Sequence, residues 1–309
     1  MRSPGERSAL LDAHAPHRVV QAALDDYART CEAVTGIAPD PGFDGADEDR
    51  YLDSGIAIHP RAAAHCVADY RRTTVYLRAV HDALRQLLER HPDTRVRILY
   101  AGCGPWATLL FPVLGAFPPE RLGIQLLDIH PEALEGVRRL IDHFGYGDHA
   151  IELVAGDAST HRCEPAPHLV VTETMRKALE EEPQFAVTAG LAPQLAPGGI
   201  LIPERIDVDL CLTSSAGSVP LARVLTLSAD HCTAPDPVHL DIPADADPAI
   251  RHAELVTSIR VFGTHRLESG EAHITLPRPC HELSPLPAGA TVCVEFRPGS
   301  CPMFEFTIA

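Results

Sequence analysis

The sequence has no C-x-x-C pair, no H-E-x-x-H motif and no basic stripe, and each absence removes a class of function. Its nine cysteines are Cys31, Cys66, Cys103, Cys163, Cys211, Cys232, Cys280, Cys293 and Cys301. An odd, scattered set fits reduced thiols and not a disulfide framework or a zinc site. Histidine is abundant, at 17 residues, yet no Cys/His cluster has ligand spacing, so no metal is expected. No apolar stretch reaches the length that spans a bilayer. The opening MRSPGERSALLDAHAPHR carries charges and no apolar h-region. These two absences predict a cytoplasmic protein with no secretory leader and no membrane partner. The formal net charge of −16 repels nucleic acid and favours a cationic small molecule at long range. Acidity that merely keeps the chain soluble is the plainer reading of that charge. No internal repeat is visible.

What is present is enough for a core: 309 residues, 45% of them hydrophobic. Residues 1–57 read as an N-terminal helical segment, with helical spacing over Val19–Val34 followed by an acidic loop, IAPDPGFDGADEDR. Val67, Tyr70, Val75, Leu77, Val80, Leu84 and Leu87 give residues 60–91 an amphipathic helical pattern. That helix ends at His91, before Pro92. An alternation follows. Strands are expected at Ile98–Tyr100, Ile124–Leu127, Ile151–Val154, Leu169–Thr172 and Ile200–Ile202. Helices are expected at Trp106–Leu114, at Pro131–Phe144 and over 178–195. Such alternation predicts an α/β domain with a parallel sheet, spanning 58–205. From 206 to 309 the texture changes to period-two runs: Ile206–Leu212, Leu255–Phe262, Ala272–Leu276 and Thr291–Phe296. These predict an antiparallel β module, with 230–250 as a long loop.

The chemistry starts at RVRILYAGCGPWATLL, residues 95–110, a strand running into a glycine loop. A P-loop would need a lysine that is not there. Gly102-Cys103-Gly104-Pro105-Trp106-Ala107 has Ala at the third position of a dinucleotide fingerprint, which is tolerated, so NAD stays open. S-adenosylmethionine (SAM) is the other candidate, since a short glycine loop lets backbone approach its amino-acid part. Asp128 ends the next strand, where a carboxylate can accept both ribose hydroxyls of either ligand. Asp157 and Ala158 follow the third strand, where an acid and a small residue meet adenine in methyltransferases. Glu173 follows the fourth. Ligands in open α/β sheets lie at these C-terminal strand ends, so one pocket is expected.

At this point the sequence resembles the protein arginine methyltransferases. DYRRTTVY (69–76) looks like their D-x-x-R-T-x-x-Y helix, and ILYAGCG like their V-L-D-V-G-x-G loop. VVTETMRKALEEE looks like their double-Glu hairpin, and LAPGGILIPERIDV like the L-x-P-G-G-x-x-x-P-x-R run, ending in Arg205, that leads into a β-barrel. The resemblance covers about residues 65–212. It implies a class I, Rossmann-like SAM-methyltransferase domain with N-terminal helices and a C-terminal antiparallel β module. It also implies that Arg72 holds the SAM carboxylate, and that Glu173, Met175 and Glu182 form the acceptor site. The run Glu180-Glu181-Glu182 leaves the second Glu uncertain in register; a solvated helix start would also explain it. Thr174 replaces the family's Trp, Arg176-Lys177 replace Gly-Tyr, and the tail has no T-H-W motif.

Two carboxylates suit a guanidinium because its forked donors match them bidentately. Glu173 and Glu182 are therefore the expected catalytic and substrate-binding pair, with Met175 beside them. Arg72, Gly102, Gly104, Asp128, Asp157 and Ala158 are the expected SAM-binding set. His231, His265 and His281 are candidate proton acceptors that the sequence does not rank. Trp106, the only tryptophan, either floors the SAM pocket or sits in the core. The expectation is a SAM-dependent N-methyltransferase of a guanidine, free L-arginine first. That matches the small bacterial biosynthetic branch of the family, the type that methylates free arginine on the way to streptozotocin. A homodimer stays open. The rivals are another SAM enzyme with a small substrate, including an amine or carboxyl methyltransferase or a cyclase, and a non-catalytic SAM-binding protein.

Overall fold

The computed structural model describes residues 9–40, 49–214, 217–243, 250–286 and 289–308. Helix α1, His17–Thr35, ends at Gly36, whose φ of 75° reverses the chain while its N–H donates to Glu32. The acidic loop expected to follow lies partly outside the described residues. Beyond it, β1 (Arg50–Leu52) and β2 (Gly55–Ala57) form a hairpin. The helical pattern over 60–91 is two helices: α2 (Pro60–His65) and α3 (Tyr70–Arg90). Asp69 makes the break. Its side chain accepts the Arg72 N–H at 3.0 Å, so α3 begins on its own cap.

The alternation then unrolls as β3 (Val96–Ala101), α4 (Phe111–Leu114), β4 (Leu122–Asp128), α5 (Pro131–Phe144), β5 (Ala150–Ala155), β6 (Leu169–Thr172), α6 (Gln184–Leu191) and β7 (Ile200–Ile202). The five strands are all parallel, in the order β5-β4-β3-β6-β7. The chain steps outward from β3 to β5, then returns to β6 on the other side of β3. That reversal opens a crevice beyond the C-terminal ends of β3, β4 and β6, which makes this a Rossmann-like sheet. Valine, leucine and isoleucine fill β6 and β7 without alternation, because both faces of a parallel sheet are covered.

Two expected helices are shorter than the sequence suggests. Residues 106–110 form turns because Ala107 (φ 45°) follows Gly104 (φ 63°) and Pro105. Residues 178–183 are not α-helical either: a 3-10 turn ends at Leu179, and Ala178, Leu179 and Glu181 have φ of 57°, 60° and 66°.

The tail is antiparallel. β8 (Arg205–Ser214), β9 (Gly217–Ser228), β11 (Ile250–Phe262) and β12 (His265–Leu267) pair in the order β12-β11-β8-β9; β13 (Arg278–Pro279) pairs with β11. A second sheet has the order β10-β14-β15, from Val238–Asp241, Thr291–Arg297 and Met303–Ile308. β8 alternates as its sequence requires: Ile206, Val208 and Leu210 are buried, while Asp207 and Asp209 face out to Arg205 and Arg223. The expected loop at 230–250 thus contains a strand, β10; residues 244–249 lie outside the described set. Ala272–Leu276 is not a strand but a 3-10 turn, His273–Thr275. Its pattern is that of Ala272 and Ile274 turning inward on either side of exposed His273, with Thr275 buried as well. Phe185 on α6 meets Phe296 at 5.1 Å between ring centres, and Phe296 meets Phe304 at the same distance. One apolar core therefore runs from the parallel sheet into the tail.

Candidate functional site

A cavity of about 310 Å³ lies at the C-terminal strand ends. Arg72, Gly102, Gly104, Asp128, Asp157, Ala158, Glu173, Met175 and Glu182 all line it. The residues singled out in the sequence, spread from position 72 to position 182, thus converge on one space.

The glycine loop forms its floor. Gly102 has φ +70°, and a Cβ there would stand 2.4 Å from Cγ2 of Thr174. Only glycine allows both the turn and that contact. The Gly104 N–H donates to Asp128 Oδ2 at 2.8 Å, and the His130 N–H donates to Oδ1 at 2.9 Å. Burial pushes the Asp128 carboxyl up, against these two backbone donors. Asp157 Oδ1 accepts from the backbone N–H and the hydroxyl of Ser159, each at 2.8 Å, which fixes its rotamer. Trp106 is fully buried and does not line the cavity; its indole N–H donates to Thr35 Oγ1 at 3.2 Å. It is a core residue.

Arg72 enters from the first turn of α3. Its Nη2 is 2.7 Å from Oε2 of Glu173, and both side chains are nearly sealed, at 9% and 5% exposure. The Arg72 Nε is buried with no hydrogen-bond partner. A buried N–H of this kind asks for an acceptor that enters the cavity from outside the chain. Burial raises the Glu173 pKa, although Arg72 opposes the shift.

The three glutamates of the 180–182 run part company. Glu180 turns away and accepts from Arg278 Nε at 3.0 Å. Glu181, half-buried, pairs with Arg176. Glu182 alone of the three lines the cavity. Its pKa is pushed up to about 8, first by burial and then by the charge of Glu173. The Arg176 Nε stands 3.6 Å from its Oε1.

The loop that carries Glu182 is clamped. The Ile56 N–H donates to the Glu181 carbonyl at 2.8 Å, and the Glu181 N–H donates to the Pro302 carbonyl at 2.8 Å. Gly55 lies so close that a Cβ would meet backbone atoms of residues 181–183 at 2.8 Å. Gln184 closes the loop from inside, its Oε1 accepting the Thr174 N–H at 2.8 Å. Three positive-φ residues survive here because surrounding contacts over-determine them.

The sequence reading missed two contributions. Leu52, Ile56 and Ala57 of the hairpin wall the cavity, as do His273 and Ile274 from the tail. Asp69 places the latter: its Oδ2 accepts the His273 N–H at 2.7 Å while its Oδ1 caps α3. A histidine inside a period-two run gave no spacing that would separate it from the other tail histidines. His231, His265 and His281 do not line the cavity. His231 bonds Ser228, and His265 bonds Asp82 at 2.8 Å where α3 meets β12.

The glycine cradle, the unpartnered Arg72 Nε and the carboxylate of Asp128 fit an adenosyl amino acid such as SAM. No family model matches the chain. No curated protein matches it in sequence either. Among solved structures the chain is similar to the Trypanosoma brucei PRMT1 enzyme–prozyme heterotetrameric complex with AdoHcy. The TM-score is 0.58 at 13% identity, over 81% of this chain and 93% of that one. The two share the fold: a parallel Rossmann-like sheet followed by an antiparallel β module. Among the described residues no helix is long and apolar enough to cross a membrane.

Proposed function

We propose that the protein is a SAM-dependent N-methyltransferase acting on the guanidine group of a small molecule, with free L-arginine as the first candidate. The observation that carries this reading is the pair Glu173 and Glu182, two buried carboxylates on one cavity beside a glycine cradle. The similarity to an AdoHcy-bound PRMT1 complex supports the choice of cofactor.

When bound, SAM would supply a sulfonium methyl to the acceptor nitrogen and leave as the neutral thioether, with the nitrogen's proton passing to solvent water. The chain's own residues do the rest. The Gly102–Gly104 backbone leaves room for the cofactor's amino-acid part. Asp128 offers its carboxylate to the ribose hydroxyls. Arg72 directs its unpartnered Nε–H to the cofactor carboxylate, and its charge opposes the protonation that burial favours at Glu173. Glu173 and Glu182 receive the acceptor guanidinium, hold it in plane and draw its charge onto one side, so that the reacting nitrogen is fixed in line. Alignment of reactants alone can be worth roughly 7–11 kcal/mol of barrier. Met175, buried between the two glutamates in sequence and in the same cavity, excludes water from the transfer path.

The test is product analysis with methyl-deuterated SAM and a panel of L-arginine, L-citrulline, simple amines and carboxylic acids. A labelled methyl on arginine and none on citrulline, which is alike in shape and uncharged, is the expected result. Transfer to an amine or a carboxylate, or closure of SAM's own aminobutyryl group, would replace the guanidine reading. SAM binding without turnover of any acceptor would replace the enzyme reading.

A further inference from the structure

Arg72 and Arg176 are, among the described residues, the only arginines or lysines that line the cavity. They are differently placed. Arg72 is sealed inside and committed to Glu173. Arg176 stands at the outer part, with its side chain 58% exposed. One of its terminal nitrogens, Nη1, donates to Glu181. Its Nε faces Glu182 at 3.6 Å, beyond hydrogen-bond length. Nη2 makes no hydrogen bond among the described residues. A half-used guanidinium therefore stands beside the carboxylate that the acceptor cation would occupy.

Arg176 is tethered through one terminal nitrogen. Glu181 holds it, and the Glu181 backbone is fixed on both sides by Ile56 and Pro302. An acceptor guanidinium on Glu182 consequently meets a second guanidinium at close range. For an acceptor that brings positive charge alone, that meeting is repulsive. An acceptor that also carries a carboxylate cancels the repulsion, because the free donors of Arg176 form a planar fork that a carboxylate matches. The three-methylene arm of arginine lets its two ends reach two neighbouring partners, buried Glu182 and the solvent-facing donors of Arg176.

From this geometry we infer that Arg176 is a specificity-determining residue that binds the carboxylate of the acceptor, so the site selects guanidino acids over guanidines that lack an anionic end. The inference rests on the reading of the cavity as a guanidine methyltransferase site.

The test is calorimetry on the full chain with AdoHcy present, titrating L-arginine and agmatine, which is arginine without its carboxylate. The unmodified protein should prefer arginine by about tenfold or more. In Arg176→Ala and Arg176→Gln the preference should collapse to near parity, and Arg176→Lys should restore part of it. Circular dichroism checks the fold of each variant. If both ligands lose affinity in parallel, Arg176 only braces Glu181 and the inference is overturned. Equal binding of both ligands by the unmodified protein overturns it too. If the unmodified protein binds neither, the guanidine reading itself fails and this one falls with it.

Discussion

Arg72 and Glu173 form a buried ion pair, 2.7 Å from Nη2 to Oε2, that joins the start of α3 to the end of β6. The pair uses the cation nearest the cavity floor on one glutamate and leaves the other less neutralised. Glu182 then has burial and a neighbouring negative charge against it, with half-exposed Arg176 and, more weakly, the already paired Arg72 in its favour. The two carboxylates are chemically alike and electrostatically different, and four predictions follow from this contrast and from the cradle beside it.

Asp128→Asn keeps the shape of the side chain and removes its charge. It should lower SAM affinity at least about tenfold, since a hydrogen bond to a charged acceptor is worth roughly 1.5–3 kcal/mol. Calorimetry reads the effect; unchanged SAM affinity would remove the ribose role from this residue.

Glu173→Gln and Glu182→Gln should each fold, bind SAM and lose roughly 30- to 1,000-fold in turnover of arginine. Glu181→Gln, whose side chain points to Arg176 and not into the cavity, should keep kcat at saturating arginine within about threefold, with any larger effect confined to KM through the Arg176 it anchors. Full activity in both of the first two variants would show that the paired carboxylates do not hold the acceptor.

Glu182 sets a pH dependence with two opposite readouts. Its native pKa of about 8 exceeds its ordinary 4.5, so between these values the folded chain holds a proton that the unfolded chain has lost. The stability of the ligand-free protein should fall as pH rises through that window, and Glu182→Gln should flatten the fall. Acceptor affinity should move the other way, rising toward alkaline pH, because a guanidinium needs the ionised carboxylate. Thermal melts and acceptor titrations across the range measure both.

Gly102→Ala places a methyl group against Cγ2 of Thr174 and forces φ +70° on a non-glycine residue. It should destabilise the fold by about 1–3 kcal/mol and weaken SAM binding. Thr174→Ser removes the opposing methyl while keeping the hydroxyl. In the double variant part of the loss should return, and a thermal-melt cycle over the four proteins measures how much.

The parallel sheet was legible because its strands are apolar runs with loops at fixed places. Ile98–Tyr100, Leu169–Thr172 and Ile200–Ile202 all lie within observed strands. The cavity was legible for the same reason, since a doubly wound sheet brings Gly102, Asp128, Asp157 and Glu173 together wherever the chain between them goes. What the sequence hid was everything decided by contact across the chain. Residues 178–183 have helix-forming alanine, leucine and glutamate, yet Ile56 and Pro302 hold Glu181 outside a helix. The same clamp decides which of three consecutive glutamates faces inward, a choice that no local pattern encodes. The hairpin at 50–57 was too short and too polar to announce itself, and His273 reached the cavity only through Asp69.

The clamp on Glu181 also divides the labour of the polypeptide. On the proposed reading, the residues that would recognise the cofactor lie in one continuous stretch, from Arg72 to Ala158. The placement of Glu182 depends on residues near both ends, Gly55 and Ile56 before that stretch and Pro302 after it. The flanking segments can therefore be exchanged or redesigned to take a different acceptor while the methyl donor's cradle is left as it stands. A change at position 55 or 302 would be read out as altered acceptor choice long before it touched the glycine loop.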